Sequence, residues 1–334
     1  MEELVSVIMA TFKTPNNYLK DSIDSILNQT YKNLEFIIIC DGAKEDEEYI
    51  KNNYTDKRIK IIKHENNEGL AKSINDAIRL AKGKYIIRMD SDDISLNKRI
   101  EQQVKFMEKR PNIVVSGMQA KWFGDVNVKK TLINQTSEEI EIELLYKNAL
   151  IHPSVIIRKE YLIKNGILYN EEFKYSQDYE LWARIANHKN MLILNKVGIK
   201  YRVHSQQVTV KKKEIQSALT DKVITRNLKK VNGENSKDIL LYLNGKEEIT
   251  IDNYKNVIKG INEIIQENEY FNKNILRNVL YNRFFQLIIS NKKIILNMLK
   301  NKEYRKLIFI RKNFKYLICK IKEVLCTRSR GKYE

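Results

Sequence analysis

The sequence is short of the residues that break or staple a chain: of 334 residues, 3 are proline, 11 glycine and 3 cysteine. So few prolines and glycines exclude a flexible low-complexity linker, and no internal repeat is present. Cys40, Cys319 and Cys326 form no CxxC pair, have no histidine cluster beside them and are too few for a disulfide framework. That pattern argues against structural zinc and points to a reducing compartment. No uncharged stretch approaches the roughly 20 residues that span a bilayer. Two acids stand before the first short apolar run, the wrong sign for a signal peptide, so the expectation is a cytoplasmic protein. What is present is a globular composition, 43% hydrophobic, with 60 Lys+Arg against 42 Asp+Glu and a net charge of +18. The charge is local: residues 271–334 hold 17 basic and 3 acidic side chains, net +14, and leave +4 for residues 1–270.

The first ninety residues alternate two periods. "LVSVIMA" (4–10), "LEFIIIC" (34–40), "IKIIKH" (59–64) and "KYIIRMD" (84–90) are short, β-branched and apolar, hence buried strands. "NYLKDSIDSILNQT" and "GLAKSINDAIRLAKG" place Leu19, Ile23, Ile26 and then Leu70, Ile74, Ala77, Ile78 at helical spacing, with Gly83 as the expected C-cap. Strand and helix in this alternation give βαβ units and a parallel sheet. A helix over 97–111, a strand over 112–120 and a further strand near 127–134 are expected next. Ser137 is read as the N-cap of a short helix, "LIHPSVIIRKEYLIKNG" as strand then helix, "SQDYELWARIANH" as an amphipathic helix, and "MLILNKVGIKYRVH" as a strand or hairpin. Past Lys211 only helical spacing remains. The division expected is an α/β domain over 1–210 and a basic helical region over 211–334.

In such sheets ligands bind beyond the carboxyl ends of the strands. Those ends are Ala10-Thr11-Phe12, Asp41-Gly42 and Asp90-Ser91-Asp92-Asp93. Three crowded carboxylates repel one another and raise each other's pKa unless a cation sits among them. Mg²⁺ or Mn²⁺, which prefers carboxylates together with phosphate oxygens and water, relieves that repulsion. The plainer reading is a solvated loop whose Asp92 or Asp93 caps the next helix.

Six ordered stretches over residues 4–206 resemble the family 2 glycosyltransferases with the GT-A fold. They are "VSVIMATFK", "SIDSILNQTYKNLEFIIICDG", "NEGLAKSINDAIRLAKGKYIIRMDSDD", "HPSVIIRKE", "SQDYELWARI" and "YRVH". The resemblance implies a Rossmann-like, mostly parallel mixed sheet and a nucleotide-sugar donor, most often a UDP-sugar. It places Thr11 and Phe12 against the nucleotide, Asp41 on the base, Asp90 near the ribose and Asp92 on a Mn²⁺ or Mg²⁺ ion bridging the phosphates. Asp93 is read as capping the following helix. Asp178 matches the family's catalytic base of an inverting transfer, and a helix N-terminus would keep it ionised. His204 falls where such a histidine completes the metal site or contacts the diphosphate, with a structural role as the alternative. His152 and Trp182 fall near the acceptor pocket, where a loop hydrogen bond and core packing are the respective alternatives. Trp122 is a further candidate for the edge of that pocket, and His64 and His188 read as surface residues. The sequence departs from the family at Cys40, Ala43, Lys72 and Ile74, the last two standing where alanine and arginine are common.

The tail "NRFFQLIISNKKIILNMLKNKEYRKLIFIRKNFKYLICKIKEVL" alternates cations with Phe, Leu, Ile and Tyr. Basic amphipathic helices of this kind lie on anionic membrane surfaces, and a helical bundle with a solvated basic face is the alternative. No RNP-like or helix-turn-helix pattern supports a nucleic-acid partner. The expectation is therefore an inverting hexosyl- or N-acetylhexosaminyltransferase, peripheral on the cytoplasmic face of the inner membrane. It would act on a lipid-linked glycan in the assembly of a capsule, O-antigen or similar surface polysaccharide. A nucleotidyltransferase making nucleotide-sugars would need a glycine-rich loop after the first strand, where "MATFKTPNN" has none. A non-catalytic membrane- or nucleic-acid-binding protein would explain the tail but not Asp178 with the acid cluster.

Overall fold

The computed structural model describes residues 2–125, 135–187, 189–204, 212–232 and 236–308. The strand expected near 127–134, together with His188, Cys319 and Cys326, lies outside the described residues. The chain forms two compact units, residues 1–144 with 148–223 and residues 145–147 with 224–334.

In the first unit the expected strands form as β1 (Val5–Thr11), β2 (Leu34–Asp41), β3 (Ile59–His64) and β4 (Tyr85–Asp90). They are joined by α1 (Asn16–Leu27), α2 (Lys44–Asn53) and α3 (Leu70–Leu80). The chain continues through β5 (Ile94–Ser95), α4 (Arg99–Glu108), β6 (Val115–Gly124), α5 (Ser137–Glu143), β7 (Ile156–Arg158), α6 (Lys159–Lys164), α7 (Gln177–Ile185) and β8 (Met191–Val203). One sheet results, in the order β3-β2-β1-β4-β7-β6-β8-β5. The first four strands pair in parallel, as do β6 and β8, whereas the β4–β7, β7–β6 and β8–β5 pairings are antiparallel.

The near-continuous apolar runs of β1, β2 and β4 follow from burial on both faces. Val7, Met9, Phe36, Ile38, Ile87 and Met89 pack with Leu19, Ile23 and Ile26 of α1 and Ile100, Val104 and Met107 of α4. The alternate residues Ile8, Ile37, Ile39 and Ile86 are also buried, and α3 packs on β1 and β2. Each such side chain contributes about 1.5–3 kcal/mol relative to exposure.

Three local readings change. Gly83 is not a C-cap: α3 ends at Leu80, and a Cβ on Gly83 would come within 2.5 Å of the Ser6 amide nitrogen, so glycine is required by close approach. The N-cap of α5 is Thr136, which exchanges hydrogen bonds with Glu139 in a capping box, while Ser137 Oγ accepts from the Met191 amide. α2 has no apolar stripe to announce it, since KEDEEYIKNN buries only Asp46 and Ile50.

The change of unit falls inside α8 (Lys213–Asn227). The second unit contains α9 (Ser236–Asn244), α10 (Tyr254–Glu267), α11 (Lys273–Ile288), α12 (Lys292–Lys300) and α13 (Lys302–Ile308). Its interior takes Leu240, Leu243, Ile258, Ile261, Leu276, Leu280, Phe284, Ile288, Ile294 and Met298. The apolar stripes of α11 and α12 are therefore used inside their own unit. No helix among the described residues is long and apolar enough to cross a membrane.

Candidate active site

β4 ends at Asp90, and the chain passes at once into β5, which pairs with β8 through Ile94↔Lys200 and Ser95↔Ile199. That pairing brings the end of β8 to the acidic turn. Carboxylate oxygens of Asp90, Asp92 and Asp93 lie within 4.8 Å of one another. Asp90 pairs with Arg88, whose buried guanidinium lies on the same face of β4. Asp92 Oδ2 lies 3.0 Å from His204 Nε2. Asp93 is fully buried and its Oδ1 accepts from the Arg202 amide at 2.8 Å. The capping role read for Asp93 is corrected: α4 starts only at Arg99, behind Lys98, and Asp93 instead anchors the turn to β8.

Burial raises the pKa of Asp90, with Arg88 opposing and Asp92 adding to the shift. Burial and then the charges of Asp90 and Asp92 lift Asp93 well above the usual carboxylate range. Asp93 Oδ2 is buried without a hydrogen-bond partner among the described residues, an acceptor that a cation beside it would satisfy. A set of hard oxygen donors with one imidazole suits Mg²⁺ or Mn²⁺, so the residues present fit such an ion. Arg202 braces the turn from outside, donating to the Asp92 carbonyl (2.7 Å) and to Asp21 (2.8 Å) and stacking over Tyr18 at 4.0 Å.

At the ends of β1 and β2 the polar groups are already matched. Thr11 is buried and its hydroxyl donates to Asp46 Oδ2 at 2.5 Å, beside Thr14 Oγ1 at 2.9 Å. Thr14 in turn lies 2.8 Å from Ser91 Oγ, within the acidic turn. Phe12 is 48% exposed, with the Lys13 ammonium 5.5 Å from its ring centre. Asp41 accepts from the amides of Glu68 and Gly69, each at 2.9 Å, and meets His64 Nδ1 at 2.8 Å. His64 is thus no surface residue: its side chain is 9% exposed and its other nitrogen lies 3.3 Å from Asp76. Gly42 makes this close crossing possible; its φ is +69°, and a Cβ there would come 2.4 Å from the Asn67 amide nitrogen.

Asp178 stands in the first turn of α7, with Ser176 as N-cap residue. Its Oδ1 accepts from the Tyr179 amide (2.8 Å) and its Oδ2 from Asn148 Nδ2 (2.6 Å). The expectation of a carboxylate pulled down by the helix terminus is corrected: burial raises its pKa, against the lowering by the Tyr179 amide and Asn148. His152 is buried in a 3-10 turn, its Nε2 2.9 Å from Tyr169 OH, and burial followed by the charge of Arg88 holds its pKa well below the usual imidazole range. Trp182 is 0% exposed and packs edge-on to His152 and Tyr169 at 6.2 and 6.4 Å. A ring so enclosed offers no face to a sugar, so its reading as an acceptor contact gives way to core packing. Asn75 of α3 fixes Tyr169 by donating to its carbonyl and accepting from its amide, both at 2.9 Å.

Arg88, Asn148, Asp46, Arg202 and Tyr169 were not singled out from the sequence. Arg88 had a legible signal, a lone cation inside an apolar strand two residues before Asp90. Asn148 had none, since an asparagine in a connection carries no period.

Comparison with known proteins bears on the family and the fold. Residues 6–166 match the model of the family described as Glycosyl transferase family 2. An uncharacterized glycosyltransferase of Methanocaldococcus jannaschii is 37% identical over 239 residues, 68% of this chain and 81% of its own. An O-antigen biosynthesis glycosyltransferase of Escherichia coli, WbnJ, is 33% identical over 218 residues, 61% of this chain and 81% of its own. Among solved structures, S. aureus TarS 1–349 in complex with UDP-GlcNAc has a TM-score of 0.57 at 17% identity, covering 91% of this chain and 90% of that one. The mannosyltransferase PcManGT from Pyrobaculum calidifontis, in complex with GDP-Man and Mn2+, has a TM-score of 0.51 at 13% identity, covering 96% and 86%. These two likenesses speak to the fold alone. With its GT-A-like sheet and a homologous chain matched over four-fifths of its length, the protein belongs to glycosyltransferase family 2.

Proposed function

We propose that this enzyme moves one hexose or N-acetylhexosamine from a nucleotide-sugar, a UDP-sugar foremost, to a hydroxyl of a glycan acceptor with inversion. The observation that carries the reading is the pairing of two unlike acidic sites in one unit. One is the cluster Asp90, Asp92 and Asp93; the other is the single carboxylate Asp178, held by Asn148 and the Tyr179 amide. Asp92 with His204, flanked by Asp90 and Asp93, would hold Mn²⁺ or Mg²⁺. When bound, the ion neutralises the diphosphate as it leaves.

The rest is work for the chain's own groups. Phe12 offers an exposed ring for the base to stack on. Asp41 keeps the 68–69 loop in place, and its Oδ2, with one amide bonded, retains a lone pair for a base N–H. Thr11 acts through Asp46 and Thr14, which carry the order of the β1 end to Ser91. On the acceptor side Asp178 takes the hydroxyl proton as the oxygen attacks the anomeric carbon. The carbon–oxygen bond to the diphosphate breaks, and the nucleoside diphosphate departs. A carboxylate whose pKa is lifted by burial is the better proton acceptor. His152 is kept neutral and orients the Tyr169 hydroxyl beside this centre.

A lipid-linked glycan of a surface polysaccharide is the acceptor we favour, in keeping with the E. coli relative named for O-antigen biosynthesis. Docking at the cytoplasmic face would rest mainly on charge, about 1 kcal/mol per surface cation, because α11 and α12 bury most of their apolar residues, Leu296 being exposed. Co-sedimentation with anionic vesicles, lost at high salt, tests that part. The activity itself is tested by nucleotide release and glycan transfer with Mn²⁺ and a panel of UDP- and GDP-sugars. Equal release by wild type and Asp92→Ala would remove the metal assignment.

A further inference from the structure

The proposed function leaves the buried cation Arg88 without a task; the other buried arginine, Arg99, donates to Gln103 and to the Arg88 carbonyl. Arg88 is 2% exposed. A guanidinium carries five N–H donors, yet among the described residues Asp90 is the single side chain or carbonyl paired with its side chain. Its Nη1 is the atom that meets Asp90 Oδ1, so the donors left over belong to Nε and Nη2. A purely structural arginine would hold its fork in carbonyls, as Arg158 does with Ile113, Met107 and Arg110.

The position of Arg88 says what the free donors face. Its amide is bonded to the Val155 carbonyl, next to the His152–Ser154 turn, and its side chain shares the β4 face of Asp90. Its charge acts on Asp90 and Asp93 and also on Asp178, His152 and Tyr169. In the reaction proposed above, on which this inference rests, the transferred sugar must lie between the diphosphate over the acidic turn and the acceptor hydroxyl at Asp178. Arg88 is the buried cation whose charge reaches both. Ile74, where the resemblance has an arginine, is buried and supplies no cation.

We infer that Arg88 is a donor-sugar-binding residue, its unengaged N–H groups donating to hydroxyl oxygens of the transferred sugar while Asp90 holds the guanidinium in place. One or two charge-assisted hydrogen bonds from a planar fork fix a sugar ring's orientation as well as its presence. The anomeric carbon is thereby aimed at the acceptor.

The test is calorimetric and separates sugar from nucleotide. With Mn²⁺ present, each of UDP-glucose, UDP-galactose, UDP-GlcNAc and GDP-mannose is titrated beside its parent diphosphate, on wild type, Arg88→Met and Arg88→Lys. The sugar increment is the affinity ratio of the best donor to its diphosphate. Arg88→Met is expected to bind the diphosphate within about 2-fold of wild type and to lose the increment about 10-fold or more, as for one or two hydrogen bonds from a charged group. Arg88→Lys keeps the charge beside Asp90 and guards against misfolding; it should retain the wild-type melting temperature and still lose about 5-fold, because an ammonium does not replace the fork. An equal fall in diphosphate and donor affinity would overturn the inference, making Arg88 a phosphate-side or metal-side group and leaving the proposed reaction intact. A full increment in Arg88→Lys, or in a folded Arg88→Met, also overturns it. If wild type binds none of the six nucleotides, the proposed reaction itself fails and the inference falls with it.

Discussion

The two parts of the candidate site treat their acids differently. At the ends of β1 and β2, Asp41 is bonded to two loop amides and His64, and Asp46 to Thr11 and Thr14. That half is ordered by its own hydrogen bonds, with the Phe12 ring left exposed. At the end of β4, three carboxylates crowd within 4.8 Å with one arginine beneath them and an unpartnered Asp93 oxygen. The first half resembles a mould already set, whereas the second holds uncompensated negative charge. Preorganisation and poised charge thus occupy neighbouring strand ends of one sheet. Each is cheapest where backbone amides are, or are not, available to answer a carboxylate.

The comparison is broken or sharpened by four substitutions. Asp178→Asn should bind donor as wild type does and lose about 10³-fold in turnover, the middle of the range for a general base; retained transfer would take Asp178 out of the mechanism. Next, Asp92→Ala should lower Mn²⁺-dependent turnover about 10²-fold, and chelation of wild type should match it, since the poised half would then lack its cation.

Asn148→Ala should cost about tenfold in kcat with donor KM little changed, as for one hydrogen bond to a charged group. The pH profile sharpens the assignment. Asn148 lowers the pKa of Asp178, so its loss raises that pKa, and the acid limb of the kcat profile must move to higher pH. A limb that stays or moves down would deny the contact its proposed part.

The smallest effect belongs to the amino ends of the same strands. Glu35 accepts from Ser6 Oγ and the Lys82 amide, both at 2.6 Å, and pairs with Lys60. Although burial pushes its pKa up, these partners hold it below the usual glutamate value. A depressed carboxylate stabilises the fold above its unfolded pKa and loses that contribution as pH falls through its folded one. Glu35→Gln should therefore cost about 1–3 kcal/mol at neutral pH, and the difference in melting temperature from wild type should shrink on acidification below about pH 4.5. Donor KM should not change. A shift in KM would mean that the amino ends of the strands are coupled to the candidate site.

Much of the fold was legible because it rests on periods. Apolar runs of four to eight residues gave β1 to β4 within a residue or two at each end, and 3.6-residue spacing gave α1, α3, α4 and α7. α2 escaped because its surface is charged nearly all round, and its one buried acid serves Thr11 rather than the core. The acidic turn was legible as a strand end. Its contacts were not, because Arg202 and His204 stand more than 100 residues away and arrive only through the β5–β8 pairing.

The sequence by itself determined the alternation of strand and helix, the crowding of Asp90, Asp92 and Asp93 at one strand end, and the place of Asp178 at a helix start. These are local facts, set by spacing and by where an apolar run stops. Only the tertiary structure decided which acid meets which partner. It buried Trp182 and His64, gave Arg88 to Asp90 and Asn148 to Asp178, and lifted the pKa of Asp178 where a helix end alone would lower it. The reason is that desolvation and pairing depend on what packs around a group, and what packs there comes from distant parts of the chain.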